Sequence, residues 1–376
     1  MRVGLFGGSF DPVHREHVRL VAAAIRALAL DEIVIIPSFV APHKRNGAVA
    51  SAENRLEMAE IAFQGIKKAQ ISDHEIFRGD TSFTYLTAEY FAKAYAGAEL
   101  YWLVGADMLE DFFSWKLPDR ILSCVTLAAC GRGNLSCDLH ERFRARFHRD
   151  FVSVPFCGEE VSSTRIRVAI AFGKKTEDLP EGVRRYIDER GLYTHPAIAP
   201  ALALEKQERR EHSYRVALLA AECAPRYGIS QKKAILASAL HDCGKYVPLS
   251  SPLLCGFSLP DGVPAPVVHQ YTGAYLAEHA FGVTDEEVLD AIRYHTSGRE
   301  DMTPLGKLIF LADMLEEGRE FPEVERLRAA LKRDLDECLL LCFEHQNAYL
   351  EANQSKGCEI YSLTKKAYNW IKSKKS

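Results

Sequence analysis

The sequence predicts two domains of different class, a doubly wound α/β domain followed by an all-α domain. Three observations support this prediction. The chain of 376 residues is long enough for two domains of ordinary size. Up to about residue 195, strand and helix patterns alternate, which is typical of a parallel sheet covered by helices. Beyond that point only helical patterns follow, so we place the domains at residues 1–197 and 205–376.

The first half of the chain opens with a strand, a helix and a second strand. Residues 2–6 form a strand-like run that a pair of glycines ends, and apolar residues recur at helical spacing over 17–30. The continuous apolar run 33–36, closed by a proline, is typical of a strand buried in a parallel sheet. The alternation then continues through helix 56–69, strand 71–72, helix 85–95, strand 100–104 and strand 125–129.

The second half contains helical patterns only. Prolines at positions 196 and 200 favour a linker over residues 195–200, because proline resists helix formation. The helical patterns span residues 205–227, 231–242, 269–281, 285–294, 304–317 and 324–351. No strand pattern separates them, so an all-α domain is expected.

Composition is that of an ordinary globular protein. Hydrophobic residues make up 47% and charged residues 26%, and 47 basic against 51 acidic residues give a net charge of −4. This balance argues against nucleic acid or an anionic membrane surface as a partner. No apolar run approaches the length of a membrane span, and the N-terminus lacks a signal-peptide core, so a cytoplasmic protein is expected. The ten cysteines include no C-x-x-C pair, which favours reduced, buried thiols.

A strand–loop–helix segment at residues 7–17 carries the strongest functional signal in the first half. Two glycines after the strand allow a tight turn and a close approach of the backbone to a ligand. The helix that begins near His17 directs N–H groups and the positive end of its dipole at the same space, which favours a phosphate group. His14 and His17, three residues apart, can share one face there. A glycine pair alone would indicate only a turn, whereas the whole segment indicates a triphosphate site.

This segment resembles the H-x-G-H motif of nucleotidyltransferases, above all the bacterial nicotinate-nucleotide adenylyltransferases, and the resemblance covers residues 1–195. Further stretches match motifs of that family in order along the chain: Pro42-His43-Lys44, Ser82-Phe83-Thr84, Gly105-Ala106-Asp107 with Trp115, and Val161-Ser162-Ser163-Thr164-Arg165-Ile166-Arg167. The resemblance implies a Rossmann-like fold. It also implies adenylyl transfer from ATP, bound with Mg²⁺, to nicotinate mononucleotide, with release of pyrophosphate.

The resemblance implies roles for individual residues as well. The residues implied in catalysis are His14, His17, Lys44 and Arg167. The residues implied in ATP binding are Gly7, Gly8, Ser9, Phe10, His43, Asp107, Ser163 and Thr164. In the pyridine subsite, Trp115 would stack on the ring and Thr84 would hold its carboxylate or amide, which leaves nicotinate and nicotinamide mononucleotide both open. Core packing is the alternative for Trp115, and a surface position is the alternative for Asp107.

One position departs from the family motif. The third position of H-x-G-H is glycine in the family, and Glu16 stands there in this sequence. A carboxylate adds bulk and negative charge where the backbone should approach the nucleotide. It can turn outward at the helix start, where an acidic side chain is favourable, or it can weaken ATP binding. Both outcomes stay open, and an active transferase is expected.

Histidine and aspartate recur in the second half in the order H…HD…H…H…D. Each member lies within or beside an apolar helical stretch, and buried histidine or aspartate requires a partner. One such histidine alone would be an ordinary core residue. The six together indicate metal ligands, and they are His212, His241, Asp242, His269, His295 and Asp313.

This order resembles the metal-dependent HD phosphohydrolases. Residues 205–370 look like the HD-domain enzymes of Gram-positive bacteria that split diadenosine tetraphosphate symmetrically into two ADP. The resemblance implies two metal ions, with iron expected. One ion would be held by His212, His241, Asp242 and Asp313, and the other by Asp242, His269 and His295. Lys245, Arg293 and Arg319 are candidate phosphate contacts, with a surface charge or an ion pair as the alternative for each.

Together the two resemblances imply a bifunctional enzyme. Its first domain would make nicotinate adenine dinucleotide, its second would hydrolyse diadenosine tetraphosphate, and its partners would be these small nucleotides and ATP. Two alternatives stay open. The HD domain could hydrolyse another nucleotide phosphoester, or one domain could be a non-catalytic nucleotide sensor, in which case Glu16 indicates the first. The sequence leaves open the metal, homo-oligomer formation and any communication between the sites.

Overall fold

The computed structural model of the chain describes residues 1–40, 48–106, 108–131, 137–159, 161–353 and 360–375. These residues form two compact units. The first contains Met1–Ile166 and Thr176–Leu192, and the second contains Arg167–Lys175 and Tyr193–Ser376. No described helix combines the length and the apolar character that a bilayer crossing requires.

Among the described residues of the first unit, six strands form one parallel sheet. They are β1 (Arg2–Gly8), β2 (Glu32–Pro37), β3 (Ala69–Ile71), β4 (Glu99–Gly105), β5 (Thr126–Gly131) and β6 (Val152–Pro155). Their order is β3-β2-β1-β4-β5-β6, and all neighbours are parallel. The winding reverses between β1 and β4, where doubly wound sheets bind ligands at the carboxyl ends of their strands. The predicted fold class of this half is confirmed.

Helices pack on both faces of this sheet. The helices along this part of the chain are α1 (Arg15–Ala27), α2 (Ala52–Phe63), α3 (His74–Arg78), α4 (Thr84–Ala94), α5 (Met108–Asp111), α6 (Pro118–Cys124), α7 (Cys137–Phe147), α8 (Ser163–Ala171) and α9 (Glu181–Arg190), and α8 belongs to the second unit from Arg167 onward. Alternate residues of β2 enter different apolar clusters, Val34 and Ile36 on one face and Ile33 and Ile35 on the other. Burial on both faces explains why β2 is an uninterrupted apolar run.

The described part of the second unit contains helices and no strand, as predicted. The helices that follow α8 and α9 are α10 (Ile198–Ala203), α11 (Gln207–Cys223), α12 (Gln231–Leu240), α13 (Val268–Tyr275), α14 (Glu286–Arg293), α15 (Pro304–Leu315), α16 (Val324–Leu331), α17 (Leu335–Ala352) and α18 (Ser362–Lys375). Helices α12 and α15 are buried on most of their surface, and one apolar core joins all the helices around them. A helix that is apolar on every side belongs at the centre of a bundle.

The predicted linker over residues 195–200 is wrong from Ile198 onward, because α10 begins there. Pro200 lies in the first turn of α10, where the backbone N–H it lacks would have had no intrahelical acceptor. Ile198, Ala201 and Leu202 are buried and fix the helix on the core of the second unit.

The predicted single helix over residues 324–351 is also wrong, because the chain breaks it into α16 and α17. Asp334 is the N-cap residue of α17, and its carboxylate accepts the backbone N–H of Glu337 at 2.6 Å. An aspartate in this position starts a new helix more readily than it continues an old one.

Candidate active sites

A cavity of about 510 Å³ lies beside the carboxyl end of β1 in the first unit. Five predicted site residues line it, and they are Gly7, Gly8, Ser9, Thr84 and Trp115. The remaining lining residues are Ser38, Glu75, Ser82, Phe83, Trp102, Met108, Ser114, Lys116 and Ile121. The structure therefore brings the glycine turn and the predicted pyridine subsite together in one cavity.

Packing beneath the cavity explains the glycine at position 7. A Cβ atom on Gly7 would lie 2.9 Å from Cζ2 of Trp102, which is closer than real side chains approach. The same absence of a side chain leaves the backbone at the end of β1 open to a ligand.

His14 and His17 lie at the N-terminus of α1 with their rings stacked, the ring centroids 3.7 Å apart. The backbone N–H of His14 donates to Nδ1 of His17 at 3.2 Å. Because Nδ1 accepts this bond, a neutral His17 ring carries its proton on Nε2 and can donate it to an anion. Burial lowers the pKa of His14 to about 4, so at neutral pH His14 is an uncharged hydrogen-bonding group and not a cation.

Phe10 and Ser163 support the histidine pair. Phe10 is buried, and its ring packs edge-on against His17 with the ring centroids 5.2 Å apart. Phe10 therefore orients an imidazole and contributes to the site through packing. Oγ of Ser163 donates to the carbonyl of Pro12 at 3.1 Å, which ties the start of α8 to the loop before His14. Thr164 follows Ser163 in the first turn of α8.

Arg167 has a different environment from these residues. Its side chain is 2% exposed, and Nη2 donates to Oε1 of Gln231 at 2.5 Å within the second unit. The structure thus places this guanidinium among the helices of the second unit, and a phosphate contact by Arg167 stays a prediction. The predicted ligands His43, Lys44 and Asp107 lie outside the described residues.

The carboxylate of Glu16 turns from the helix start to a neighbouring loop. Oε1 accepts from Nη1 of Arg19 at 2.5 Å, and Oε2 accepts the backbone N–H of Glu159 at 3.0 Å. Gly158 permits this approach, because a Cβ atom there would lie 2.7 Å from Oε2 of Glu16. Of the two outcomes that the sequence left open, the structure favours the one in which Glu16 is directed away from the nucleotide turn.

Arg55 on α2 organises the loops around the cavity, although it is not one of the predicted site residues. Its side chain is 1% exposed. Nη1 donates to the carbonyls of Ser9 at 2.8 Å and Ser38 at 2.6 Å, and Nη2 donates to that of Phe39 at 3.0 Å. These bonds join the turn after β1 to the segment after β2. An arginine on the buried face of a helix is the signal that could have identified it.

In the second unit, all six predicted metal ligands lie around one buried centre. One half of the centre consists of His212 on α11, His241 directly after α12, and Asp313 on α15. One ligand atom from each of these side chains lies within 4.8 Å of the others. Nε2 of His212 lies 2.9 Å from Oδ1 of Asp313.

The other half of the centre is built around Asp242. His241, Asp242 and His295 form a second group whose ligand atoms lie within 4.8 Å of one another. His269 on α13 joins this side, because its Nε2 lies 3.3 Å from Oδ1 of Asp242 and 3.1 Å from Nε2 of His295. The two groups share His241, so the six side chains form one centre with two adjoining sets of ligands.

Backbone carbonyls orient two of the imidazoles. Nδ1 of His241 donates to the carbonyl of Ser238 at 2.7 Å, and Nδ1 of His295 donates to that of Ile292 at 2.8 Å. A carbonyl oxygen only accepts, so each Nδ1 carries the proton and the lone pair of Nε2 faces the centre. This is the tautomer that a metal ligand requires.

Glu316 orients His212 in the same way, and the sequence analysis gave it no role. Oε1 of Glu316 accepts from Nδ1 of His212 at 3.0 Å, and Oε2 accepts from Nε of Arg215 at 2.5 Å. Burial opposes ionisation, but these hydrogen bonds lower the pKa of Glu316 to about 2. The signal available in the sequence is a carboxylate three residues after Asp313, which directly follows α15.

The protonation states of His241, His269 and Asp313 suit metal binding, whereas hydrogen bonds to Asp313 and Glu316 outweigh burial and raise the pKa of His212. Burial lowers the pKa of His241 to about 4 and that of His269 to about 3, so both rings are neutral at pH 7. Burial would raise the pKa of Asp313, but a hydrogen bond from His212 and the neighbouring His241 hold it well below its usual range. Nε2 of His241 is buried and has no hydrogen-bond partner among the described residues. Neutral imidazoles beside ionised carboxylates fit a divalent transition metal.

Cationic side chains surround the two aspartates. Nζ of Lys245 lies 3.3 Å from both carboxylate oxygens of Asp242, and Nη2 of Arg319 donates to Oδ1 of Asp313 at 2.7 Å. Arg209, which the sequence analysis did not single out, brings Nη1 to 2.9 Å from Oδ2 of Asp242. The centre therefore combines metal ligands with positive charge that a phosphate group can use.

Arg293, the remaining predicted phosphate contact, has a different setting. Its Nη2 lies 4.0 Å from Oε2 of Glu278. This contact corresponds to the ion-pair alternative, and a phosphate contact by Arg293 stays a prediction.

Comparison with known proteins matches two different families to the two parts of the chain. The family model described as cytidylyltransferase-like matches residues 5–169, and the family model of the HD domain matches residues 209–318. A Mycoplasma genitalium protein named "Probable nicotinate-nucleotide adenylyltransferase/Ap4A hydrolase" is 26% identical over 353 residues, which cover 92% of this chain and 97% of that protein. Both halves of the chain thus have a counterpart in a single relative of similar length.

Relatives of the first half alone are more similar in sequence. Proteins named "Probable nicotinate-nucleotide adenylyltransferase" from Rubrobacter xylanophilus and Clostridium tetani are 36% and 34% identical. The matches cover 56% and 50% of this chain, and 100% and 97% of those proteins. Among solved structures, a "predicted HD superfamily hydrolase involved in NAD metabolism" from Clostridium acetobutylicum is 31% identical with a TM-score of 0.42, and the match covers 47% of this chain and 96% of that one.

Proposed function

The chain belongs to the nicotinate-nucleotide adenylyltransferase family and carries an HD domain in its second half, and on this basis we propose that it is a bifunctional enzyme. The first unit joins the phosphate of nicotinate mononucleotide to the α-phosphorus of ATP and releases pyrophosphate. The second unit hydrolyses diadenosine tetraphosphate to two ADP. One relative carries both activities in its name and covers nearly the whole chain.

For the first activity, the supporting observation is the cavity at the end of β1 together with the histidine pair of α1. Nδ1 of His17 accepts a hydrogen bond from the backbone, so Nε2 carries the proton of the neutral ring and can donate a hydrogen bond to an anion. This donor lies at the N-terminus of α1, which favours phosphate oxygens, and the backbone of Gly7 and Gly8 lines the cavity at the end of β1. Catalysis then consists of aligning two anions and neutralising the charge that develops between them.

We extend this assignment to the other predicted ligands of the first unit. His14, Ser163 and Thr164 complete the phosphate site, and Mg²⁺ accompanies ATP. His43 and Lys44 contact the β- and γ-phosphates, and Asp107 contacts the ribose or adenine. Thr84 and Trp115 hold the pyridine ring.

For the second activity, the supporting observation is the convergence of six ligand side chains, three of which are histidines oriented by a hydrogen bond at Nδ1. His212, His241, Asp242 and Asp313 would hold one metal ion, and Asp242 with His269 and His295 would hold the other, with iron as the expected metal. When bound, such ions polarise a phosphoryl oxygen and lower the pKa of water. Lys245, Arg319 and Arg209 then balance the charge of the tetraphosphate.

A pair of reciprocal variants tests both activities in one chain. The wild-type protein should convert ATP and nicotinate mononucleotide to the dinucleotide, and should convert diadenosine tetraphosphate to ADP alone. His17→Ala should lose the first activity and keep the second, and His241→Ala should do the reverse. Each variant thereby reports its own folding through the activity that remains. His279→Ala, which removes an exposed histidine of the second unit, should change neither.

The outcomes separate this proposal from its alternatives. A wild-type protein that binds ATP and nicotinate mononucleotide without forming product would be a nucleotide sensor in its first unit. A mixture of AMP and ATP from diadenosine tetraphosphate would refute symmetric cleavage. If the protein hydrolyses a different phosphoester and leaves diadenosine tetraphosphate intact, the HD domain has another substrate. Two iron ions per purified chain, with a lower iron content in Asp242→Asn, would support the expected metal centre.

A further inference from the structure

Lys116 is a charged residue of the first unit's cavity that the predicted site did not include. It directly follows Trp115, and it lines the cavity together with Phe83 and Thr84. Nζ of Lys116 lies 4.0 Å from the centroid of the Phe83 ring, so a cation–π contact holds the ammonium group at the cavity.

The charge of this cavity is unevenly distributed. Among its described lining residues, Lys116 is the only cation and Glu75 the only anion. Glu75 is 3% exposed, and it accepts a hydrogen bond from Oγ1 of Thr87 at 2.5 Å. Burial raises the pKa of the Glu75 carboxyl. The cavity wall near Lys116 therefore favours an anionic group over a neutral one.

The neighbours of Lys116 are the residues that we propose for the pyridine ring. Trp115 supplies a flat apolar surface, and its Nε1 is buried without a hydrogen-bond partner among the described residues. Thr84 is the first residue of α4, whose N-terminus carries partial positive charge. A pyridine ring held between Trp115 and Thr84 would lie beside Lys116, which lines the same cavity.

We propose that Lys116 is a specificity-determining residue, whose ammonium group selects a pyridine mononucleotide with a ring carboxylate over one with a ring carboxamide. The inference rests on the proposed function of the first unit. A carboxylate accepts a charge-assisted hydrogen bond from the ammonium group, whereas a neutral carboxamide gains much less from the same contact. Selection of this kind acts on substrate binding, because the carboxylate takes no part in phosphoryl transfer.

The test compares kcat and KM for nicotinate and nicotinamide mononucleotide at saturating ATP. In Lys116→Met, the preference for nicotinate mononucleotide should fall about tenfold through a higher KM, as expected for one partly exposed charge-assisted bond. The kcat with nicotinamide mononucleotide should not change, and Lys116→Arg should keep most of the preference. Lys93→Met, an exposed lysine on the last turn of α4, is the matched control and should behave as wild type.

Ionic strength gives a second readout that a purely structural role would not produce. Added salt should reduce the preference of the wild-type protein and leave that of Lys116→Met unchanged. An unchanged preference in Lys116→Met, with both nucleotides still turned over, would overturn the role of Lys116 alone. A wild-type protein that adenylylates neither nucleotide would overturn the proposed function itself, and the assignment of Lys116 with it. If Lys116→Met does not fold, Lys116→Gln replaces it in both assays.

Discussion

Replacing Glu16 by alanine should destabilise the first unit and weaken ATP binding. In the structure, Glu16 joins the start of α1 to the loop at residues 157–159, through the backbone N–H of Glu159 and the side chain of Arg19. That loop leads toward Ser163, which is itself bonded to the loop before His14. Loss of the carboxylate should therefore loosen the segment that presents the Ser163 region to the phosphates.

The size of the effect follows from the two bonds. A hydrogen bond between a carboxylate and a backbone N–H contributes about 1.5–3 kcal/mol. The ion pair with Arg19 adds little, at most about 1 kcal/mol, because the arginine side chain is 50% exposed. A total of about 2 kcal/mol should lower the melting temperature of the first unit by about 4–8 °C.

Differential scanning calorimetry checks the stability, using the transition that shifts when nicotinate adenine dinucleotide is added. Pyrophosphate release gives KM for ATP, which should rise in Glu16→Ala. Glu159→Ala is the matched control, because it removes a carboxylate from the same loop and leaves its backbone N–H bonded to Glu16. A lower KM for ATP in Glu16→Ala, with the melting temperature unchanged, would refute this reasoning and show that Glu16 repels the nucleotide.

Three further predictions follow from single contacts. Glu316→Ala removes the acceptor for Nδ1 of His212 and should lower metal affinity about 10–100-fold by calorimetric titration, whereas exposed Glu317→Ala should not. Arg55→Met leaves four backbone carbonyls without their donor and should cost about 3 kcal/mol in urea unfolding of the first unit. His14 has a pKa of about 4 when folded against 6.5 when unfolded, so stability should fall by about 1.4 kcal/mol per pH unit from pH 6.5 toward 4. His14→Gln should lose that part of the pH dependence.

Local patterns were sufficient for the elements that decide the fold class. The apolar run 33–36 could be assigned to a strand without knowing its neighbours, because a strand buried on both faces carries apolar side chains on both. Breaks between helices were harder to predict. Asp334 starts a helix through a bond to Glu337, yet it stands in a sequence whose helical spacing continues across it. At Pro200 a break was predicted where the structure has a helix, because proline breaks a helix only when it lies beyond the first turn.

For the sites, residue types were predictable and side-chain directions were not. The H-x-G-H resemblance singled out Glu16 but could not state that a glycine at position 158 leaves room for its carboxylate. Arg167 matches its motif, yet its guanidinium bonds to Gln231, 64 residues away along the chain. Such contacts depend on which parts of the chain meet in the fold, and no local pattern contains that information.

The metal centre was more predictable because part of its geometry is local. His241 and His295 each lie just beyond the end of a helix, and each donates from Nδ1 to the carbonyl three residues earlier. Carbonyls of the last helical turn have no intrahelical partner, so a histidine at this place finds its acceptor within its own segment. Because the acceptor is a backbone carbonyl, the tautomer of the histidine does not depend on which amino acid stands three residues earlier. His212 lies inside α11, where the carbonyls are already bonded, and it obtains the same orientation only from Glu316, 104 residues away. The imidazoles at helix ends can therefore be recognised from sequence as oriented ligands, whereas one within a helix requires the tertiary fold.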